Sequence, residues 1–276
     1  MDRWHQANVA FQDWNLAEPA ALAHVCPVLA AAEKDGLISA WFFIRKHPCW
    51  RVRYQPATGD GQAQARIERH LDELAAASRI GGWTRAVYEP ESHAFGGTQA
   101  MAAAHRLFHA DSRHLLTRLA SRNTEGPDRT RELALILMVV MLRGAGLDWY
   151  EQGDVWARVA IHRPNPGQPY AGQQLDSVRR YLTADTEAAL SDGSPLAATP
   201  GWGQTFGTAG ADLAMLSSAG LLHRGLRAVL VHHVIFTWNR HGLPYDTQAL
   251  LASSARDAVF GADPTAQQDH RRGEAQ

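Results

Sequence analysis

Apolar positions over the first ninety residues recur with two different periods, and the switches between them divide this stretch into elements. Short aromatic and β-branched runs predict a strand over residues 4–11. Residues 18–35 carry alanine, leucine and valine at helical spacing and stop at Gly36, a residue type that commonly ends helices. Two further strands, 38–45 and 50–54, are joined by Lys46-His47-Pro48-Cys49, a hairpin connection punctuated by proline. Residues 63–78 read as a helix and 83–88 as another strand.

After Gly97 the period of two disappears, and long alanine- and leucine-rich patterns predict helices over 98–122, 129–144, 148–161 and 173–190. Residues 191–210 are rich in Gly, Pro, Ser and Thr and are predicted to form a long loop, a length usually tied to function or disorder. Helices return at 212–222, 224–239 and 247–260, and a disordered tail is expected from residue 263. No internal repeat is visible. The expected fold class is α+β: mixed strands and helices at the N-terminus, a mainly helical C-terminal half, and a single unit over residues 1–262.

The 276 residues include 27 basic and 28 acidic side chains, a formal net charge of −1, so no global field draws the chain to nucleic acid or an anionic membrane. The two cysteines, Cys26 and Cys49, form neither a CxxC nor a disulfide framework and suit a reducing compartment. No apolar stretch follows Arg3, so no signal peptide is expected. The apolar run at 133–142 is about half a membrane span. A cytoplasmic protein with no membrane contact and no direct nucleic-acid partner is expected. Its 9 tryptophans and the arginines that accompany many of its 14 histidines are residue types enriched where surfaces grip partners, although tryptophan equally fills cores.

Three blocks carry a specific resemblance. Trp41-Phe42-Phe43-Ile44-Arg45 is followed by Arg51-Val52-Arg53-Tyr54; Tyr88-Glu89-Pro90-Glu91 and Phe95-Gly96-Gly97 precede His105-Arg106-Leu107-Phe108-His109-Ala110-Asp111-Ser112; and His232-His233-Val234-Ile235-Phe236-Thr237-Trp238-Asn239-Arg240 comes late. In this order they resemble the small, elimination-type domain of the lantibiotic-dehydratase and thiopeptide-type bacteriocin biosynthesis family. The resemblance implies one of two jobs on a leader-bearing precursor peptide. One is elimination of glutamate from glutamylated Ser or Thr, after a partner large subunit has attached it from glutamyl-tRNA. The other is pyridine synthesis, a formal [4+2] cycloaddition of two dehydroalanines with release of the leader.

Elimination needs a base for the Cα proton, a stabiliser for the enolate and a grip on the departing glutamate. Residues two apart on a strand share a face, so Arg51 and Arg53 form a carboxylate clamp, the planar guanidinium matching a carboxylate bidentately. Histidine is the usual base near neutral pH, and His232 and His233 lie on the late helix. Adjacent helical residues differ by about 100° in direction, so one of the two faces the site, and His233 is preferred. Arg240 either extends the cationic site or caps its helix, where positive charge is favourable. Arg45 falls in the most recognisable block but out of phase with the inward aromatics. Tyr88 and Glu89 are a second acid or base, although a buried ion pair with an arginine explains Glu89 equally well.

The chain departs from the lantibiotic pattern at two places. Ala94 stands where those domains tend to carry an arginine before the aromatic-Gly-Gly step, and the late histidine lies farther from Asn239-Arg240, with Thr237 nearer. Both departures lean toward the thiopeptide branch. The length, in turn, leaves little room for the insertions of pyridine synthases, so elimination is the preferred reading, cycloaddition the alternative, and a non-catalytic docking module with an exposed strand edge the second alternative. His105 and His109 have i, i+4 spacing with Asp111 and His114 nearby, but HExxH is absent, so no metal is expected. Neither a phosphate-binding glycine motif nor a G-x-S-x-G elbow occurs, and no cofactor is called for.

Overall fold

The computed structural model describes residues 4–59, 61–121, 128–164 and 172–261. Four strands, β1 (His5–Ala10), β2 (Ile38–Lys46), β3 (Cys49–Pro56) and β4 (Gly82–Ala86), form one antiparallel sheet in the order β2-β3-β1-β4. Helices α1 (Ala17–Ala20) and α2 (Cys26–Lys34) are linked through a π-helical turn, Ala21–Val25, and α3 (Gln62–Ala76) lies between β3 and β4. Pro27 has no N–H with which to continue the helical ladder, and the wide turn comes immediately before it.

Side chains alternate across a strand, and here the alternation separates two apolar clusters. Trp41, Phe43, Trp50, Val52 and Tyr54 join the larger core with Leu29 of α2 and with Ile67 and Leu71 of α3. Phe42 and Ile44 point the other way, into a smaller cluster with Tyr88, Phe95, Met101, Ala104 and Phe108. The register sets Arg53 opposite Phe42 and Arg51 opposite Ile44, so both arginines belong to this second face.

Among the described residues, eight helices follow: α4 (Thr98–Ser121), α5 (Thr130–Gly144), α6 (Trp149–His162), α7 (Gln173–Thr183), α8 (Thr186–Leu190), α9 (Trp202–Ser218), α10 (Leu226–Arg240) and α11 (Tyr245–Phe260). The apolar run of α5 is buried on nearly every side, as expected of a helix that is hydrophobic all round, with α7, α9 and α10 against it. Asp148 and Glu151 begin α6 with a reciprocal capping box. Helices α4 and α10 lie against β2 and carry the sheet's second cluster into the helical half. Among the described residues, no helix is long and apolar enough to cross a membrane, and Cys26 and Cys49 are unpaired.

The α+β expectation agrees with this architecture, and two element predictions need correction. The helix expected over 173–190 is divided, because Asp185 caps a new helix by accepting from the N–H groups of Glu187 and Ala188. The loop expected over 191–210 ends at residue 201, and its second half is the start of α9. Glycine there serves close packing: a Cβ on Gly210 would collide with the carbonyl oxygen of Met141, and one on Gly144 would lie 2.5 Å from the carbonyl oxygen of Gly207. The expected tail from residue 263 lies outside the described residues.

A matched pair of substitutions tests this packing. Gly210→Ala is expected to destabilise the fold by about 1–3 kcal/mol through overpacking against α5. Gly207→Ala, whose Cβ would meet only Val140 at an ordinary 3.6 Å, should be neutral or mildly stabilising. Thermal melting of both variants checks the contrast; equal midpoints would contradict it.

Candidate functional site

Arg53 is 4 % exposed, in the middle of β3. Its Nε donates to Gln6 Oε1 at 2.7 Å, and its guanidinium carbon lies 4.2 Å from the Tyr88 ring centroid and 5.3 Å from that of Phe42. Among the described residues, no carboxylate makes an ion pair with it and its buried Nη1 has no hydrogen-bond partner. Burial pulls the guanidinium below its ordinary pKa, Tyr88 and Glu91 act in the opposite direction, and neighbouring Arg51 adds to the fall. A charge withdrawn from water with an unmade hydrogen bond is costly. An anion with two oxygens is the ligand that relieves it.

Tyr88, just beyond β4, is 8 % exposed, and its hydroxyl lies 2.9 Å from His105 Nε2 on α4. Trp4 packs over His105 with ring centroids 4.5 Å apart. Burial raises the Tyr88 phenol; burial, then the field of Arg53, lowers His105 to about 4. Both groups are therefore neutral near pH 7. Local sequence gave no notice of this pairing, because the partners stand seventeen residues apart and His105 invited only comparison with His109. His109 is occupied elsewhere, its Nδ1 against the main chain of Trp41 and its Nε2 3.4 Å from Glu33.

The other sequence-predicted residues are distributed around and away from this point. Arg51 is half-buried beside Arg53 and makes no side-chain hydrogen bond or ion pair with a described residue. Arg45 projects from the opposite face of the sheet, stacks over Trp50 at 4.9 Å and pairs with Glu18. Glu89 is exposed and without an ion pair among the described residues, so the buried pair that would have explained it is not formed. Glu91, two residues on, is the acid whose field reaches Arg53 and Tyr88. A cavity of about 660 Å³ lies elsewhere, walled by Val140, Leu190, Thr199 and Gly203 among others, and none of the predicted site residues line it.

On α10 the two histidines part as helical geometry requires. His232 is half-buried, 3.1 Å from the Arg224 guanidinium, and is lowered to about 4 by burial, Arg224 and His162. His233 is 1 % exposed between Phe95 and Phe108, with both ring nitrogens buried and unpartnered. Burial, then Arg240 and His232, lowers it to about 3. Arg240 is fully buried. Its Nε donates to Asp111 at 2.6 Å, and Asp111 also accepts from Trp202 at 2.8 Å and meets His241 at 3.2 Å. Burial alone would raise the Asp111 carboxyl, but Arg240 and His241 hold it well below the usual range.

Residues 4–259 match the family described as lantibiotic biosynthesis dehydratase C-term. Among solved structures, the tRNA-dependent lantibiotic dehydratase MibB from Microbispora sp. 107891 superposes with a TM-score of 0.64 at 18% identity over 98% of this chain, which spans 28% of that protein's length. TsrL superposes with a TM-score of 0.56 at 14% identity, covering 96% of this chain and 99% of TsrL. The pyridine synthase TbtD, from thiomuracin biosynthesis, gives 0.57 at 14% identity, with 93% and 97% coverage. No curated protein sequence matches. At these identities the likenesses establish the fold. The near-complete coverage of TbtD also removes the length argument against cyclisation.

The buried histidines give an acid limb to stability. Folded-state values of about 3 for His233 and about 4 for His105 and His232 lie below the ordinary ~6.5, so the unfolded chain binds more protons in between. Stability is expected to be full above pH ~6.5 and to fall as pH drops toward 3. His233→Leu, which removes two orphaned ring nitrogens, should match or exceed the parent's melting temperature at neutral pH and decline less steeply on acidification. Melting curves from pH 7.5 to 4 check both; an unchanged acid slope would contradict the assignment.

Proposed function

We propose, on the premise that the chain belongs to the lantibiotic biosynthesis dehydratase C-terminal family, that it eliminates glutamate from glutamylated Ser and Thr of a ribosomally made precursor peptide. The products are dehydroalanine and dehydrobutyrine. In this lyase reaction the Cα–H bond and the Cβ–O bond break, a C=C bond forms, and glutamate departs as a carboxylate. No electrons are exchanged with a second reactant, so acid–base groups suffice.

The observation that supports this reading is Arg53, a buried cation with an N–H to spare and no acidic partner within ion-pair distance among the described residues. Such a group stabilises an anion that develops during reaction more than a neutral ground state, which is the requirement for catalysis. Arg51, at the rim of the same face, adds positive field along the approach. The substrate is a leader-bearing precursor peptide. Its glutamyl ester is supplied by a glutamyl-tRNA-dependent dehydratase large subunit, a partner suggested by the likeness to part of MibB.

A second reading is pyridine synthesis by cycloaddition of two dehydroalanines, and it draws on the near whole-length likeness to TbtD. That reaction expels no carboxylate and leaves Arg53 with less to stabilise.

Mass spectrometry of a synthetic precursor bearing glutamylated serine separates the readings. The protein is expected to release glutamate. Arg53→Lys keeps the charge but loses the fork, and should lower kcat/KM about ten- to a hundredfold, corresponding to about 1.5–3 kcal/mol for a charge-assisted hydrogen bond. An untouched ester together with macrocycle formation from a bis-dehydroalanine peptide would select pyridine synthesis. Leader-dependent binding with no turnover of either substrate would select a docking module.

A further inference from the structure

We propose that Tyr88 and His105 are the proton relay of the Arg53 site, in which the substrate's Cα proton passes to Tyr88 Oη while the phenolic proton passes to His105 Nε2. The inference rests on the elimination reading and supplies the base that reading requires.

The geometry favours this pair over His233. His233 is enclosed by the rings of Phe95 and Phe108, with 1 % exposure, and a base must come within hydrogen-bond reach of the proton it takes. The Tyr88 hydroxyl is already 2.9 Å from His105 Nε2, the length of a bond along which a proton moves. With both groups neutral, the phenol donates and Nε2 accepts, leaving the ring proton on Nδ1. Arg53, 4.2 Å from the Tyr88 ring, stabilises negative charge that develops on the phenol during transfer.

The charges balance through the step. The electron pair of the C–H bond becomes the C=C bond, the pair of the Cβ–O bond leaves with glutamate, and one proton arrives on His105. The titratable groups whose fields act on this pair are Arg53 from β3 on both and Glu91 on Tyr88. A protonated His105 beside Arg53 is unfavourable in the empty site. A carboxylate seated on Arg53 offsets that repulsion, so proton transfer and leaving-group departure assist each other.

Tyr88→Phe and His105→Gln, each first shown to melt within a few degrees of the parent, test the relay on the glutamylated peptide. Each is expected to lower kcat at least a hundredfold with KM within threefold, the usual range for loss of general-base catalysis. The kcat-against-KM split is the readout that a merely structural role would not produce, and histidine NMR adds whether the pair senses an anion on Arg53: the His105 titration midpoint, about 4 in the free protein, should rise when L-glutamate is added. If the parent releases glutamate and either variant keeps its kcat within threefold, the relay is overturned while the elimination reading stands. A His105 midpoint unmoved by saturating glutamate overturns it as well. A parent that releases no glutamate overturns both.

Discussion

A single carboxylate, Asp111, ties together α4, α9 and α10, two of which pack on the sheet. Arg240 and His241 reach it from the end of α10, and Trp202 from the first residue of α9, so three helices meet on two oxygen atoms with no exposure to water. Breaking a buried pair of this kind is costly because the remaining charge has no water to return to, by about 3–5 kcal/mol in comparable cases. The arrangement fixes the pitch of α10 and hence the direction of His232 and His233. It also sets α4, which carries Asp111 and His105 about two turns apart, against β2. The placement of His105 under Trp4 and beside Tyr88 follows from that constraint.

The fold therefore buries two arginines, one with a carboxylate partner and one without. Arg240 has Asp111 at 2.6 Å and acts as a fastening, although it too stacks on an aromatic ring, Phe108 at 4.7 Å, and leaves its Nη1 without a partner among the described residues. Arg53 has a glutamine, two aromatic faces and an unused Nη1. Cation–π contact compensates part of the lost hydration, about 2 kcal/mol for a desolvated pair, but it does not complete the hydrogen bonding. On the proposed function such a cation is left incomplete because the missing partner is supplied by the substrate or by the charge the reaction creates.

Much of this was readable in the chain before any coordinates. The period of two through Trp41 to Arg45 and Trp50 to Tyr54 marks the hairpin, and strand alternation alone puts Arg51 and Arg53 on one side; Arg45, expected out of phase with the inward aromatics, instead shares the face of Trp41 and Phe43, because the register pairs it with Trp50. The glycines near residue 207 misled because local composition registers glycine as a breaker, whereas the packed helix pair needs it for close approach of backbones. Arg240 was ambiguous since its partner lies 129 residues away. His105 was hidden for the same reason: its chemistry depends on Tyr88 and Arg53, which reach it only through the tertiary packing of α4 on the sheet. Helical facing predicted that His232 and His233 diverge, but the enclosure of His233 depends on the distant rings of Phe95 and Phe108.

The claim on which the functional account turns is that Arg53 is kept for an anion and not for the fold. Calorimetric titration of L-glutamate into the parent and into Arg53→Met, with melting temperatures of both, tests it directly. The account predicts binding by the parent, at least tenfold weaker binding by the variant, and a variant that melts within a few degrees of the parent, since removal of an incompletely bonded buried cation offsets the loss of its donation to Gln6 Oε1. A variant that melts well below the parent yet binds glutamate equally would show Arg53 to be a structural residue and contradict the account.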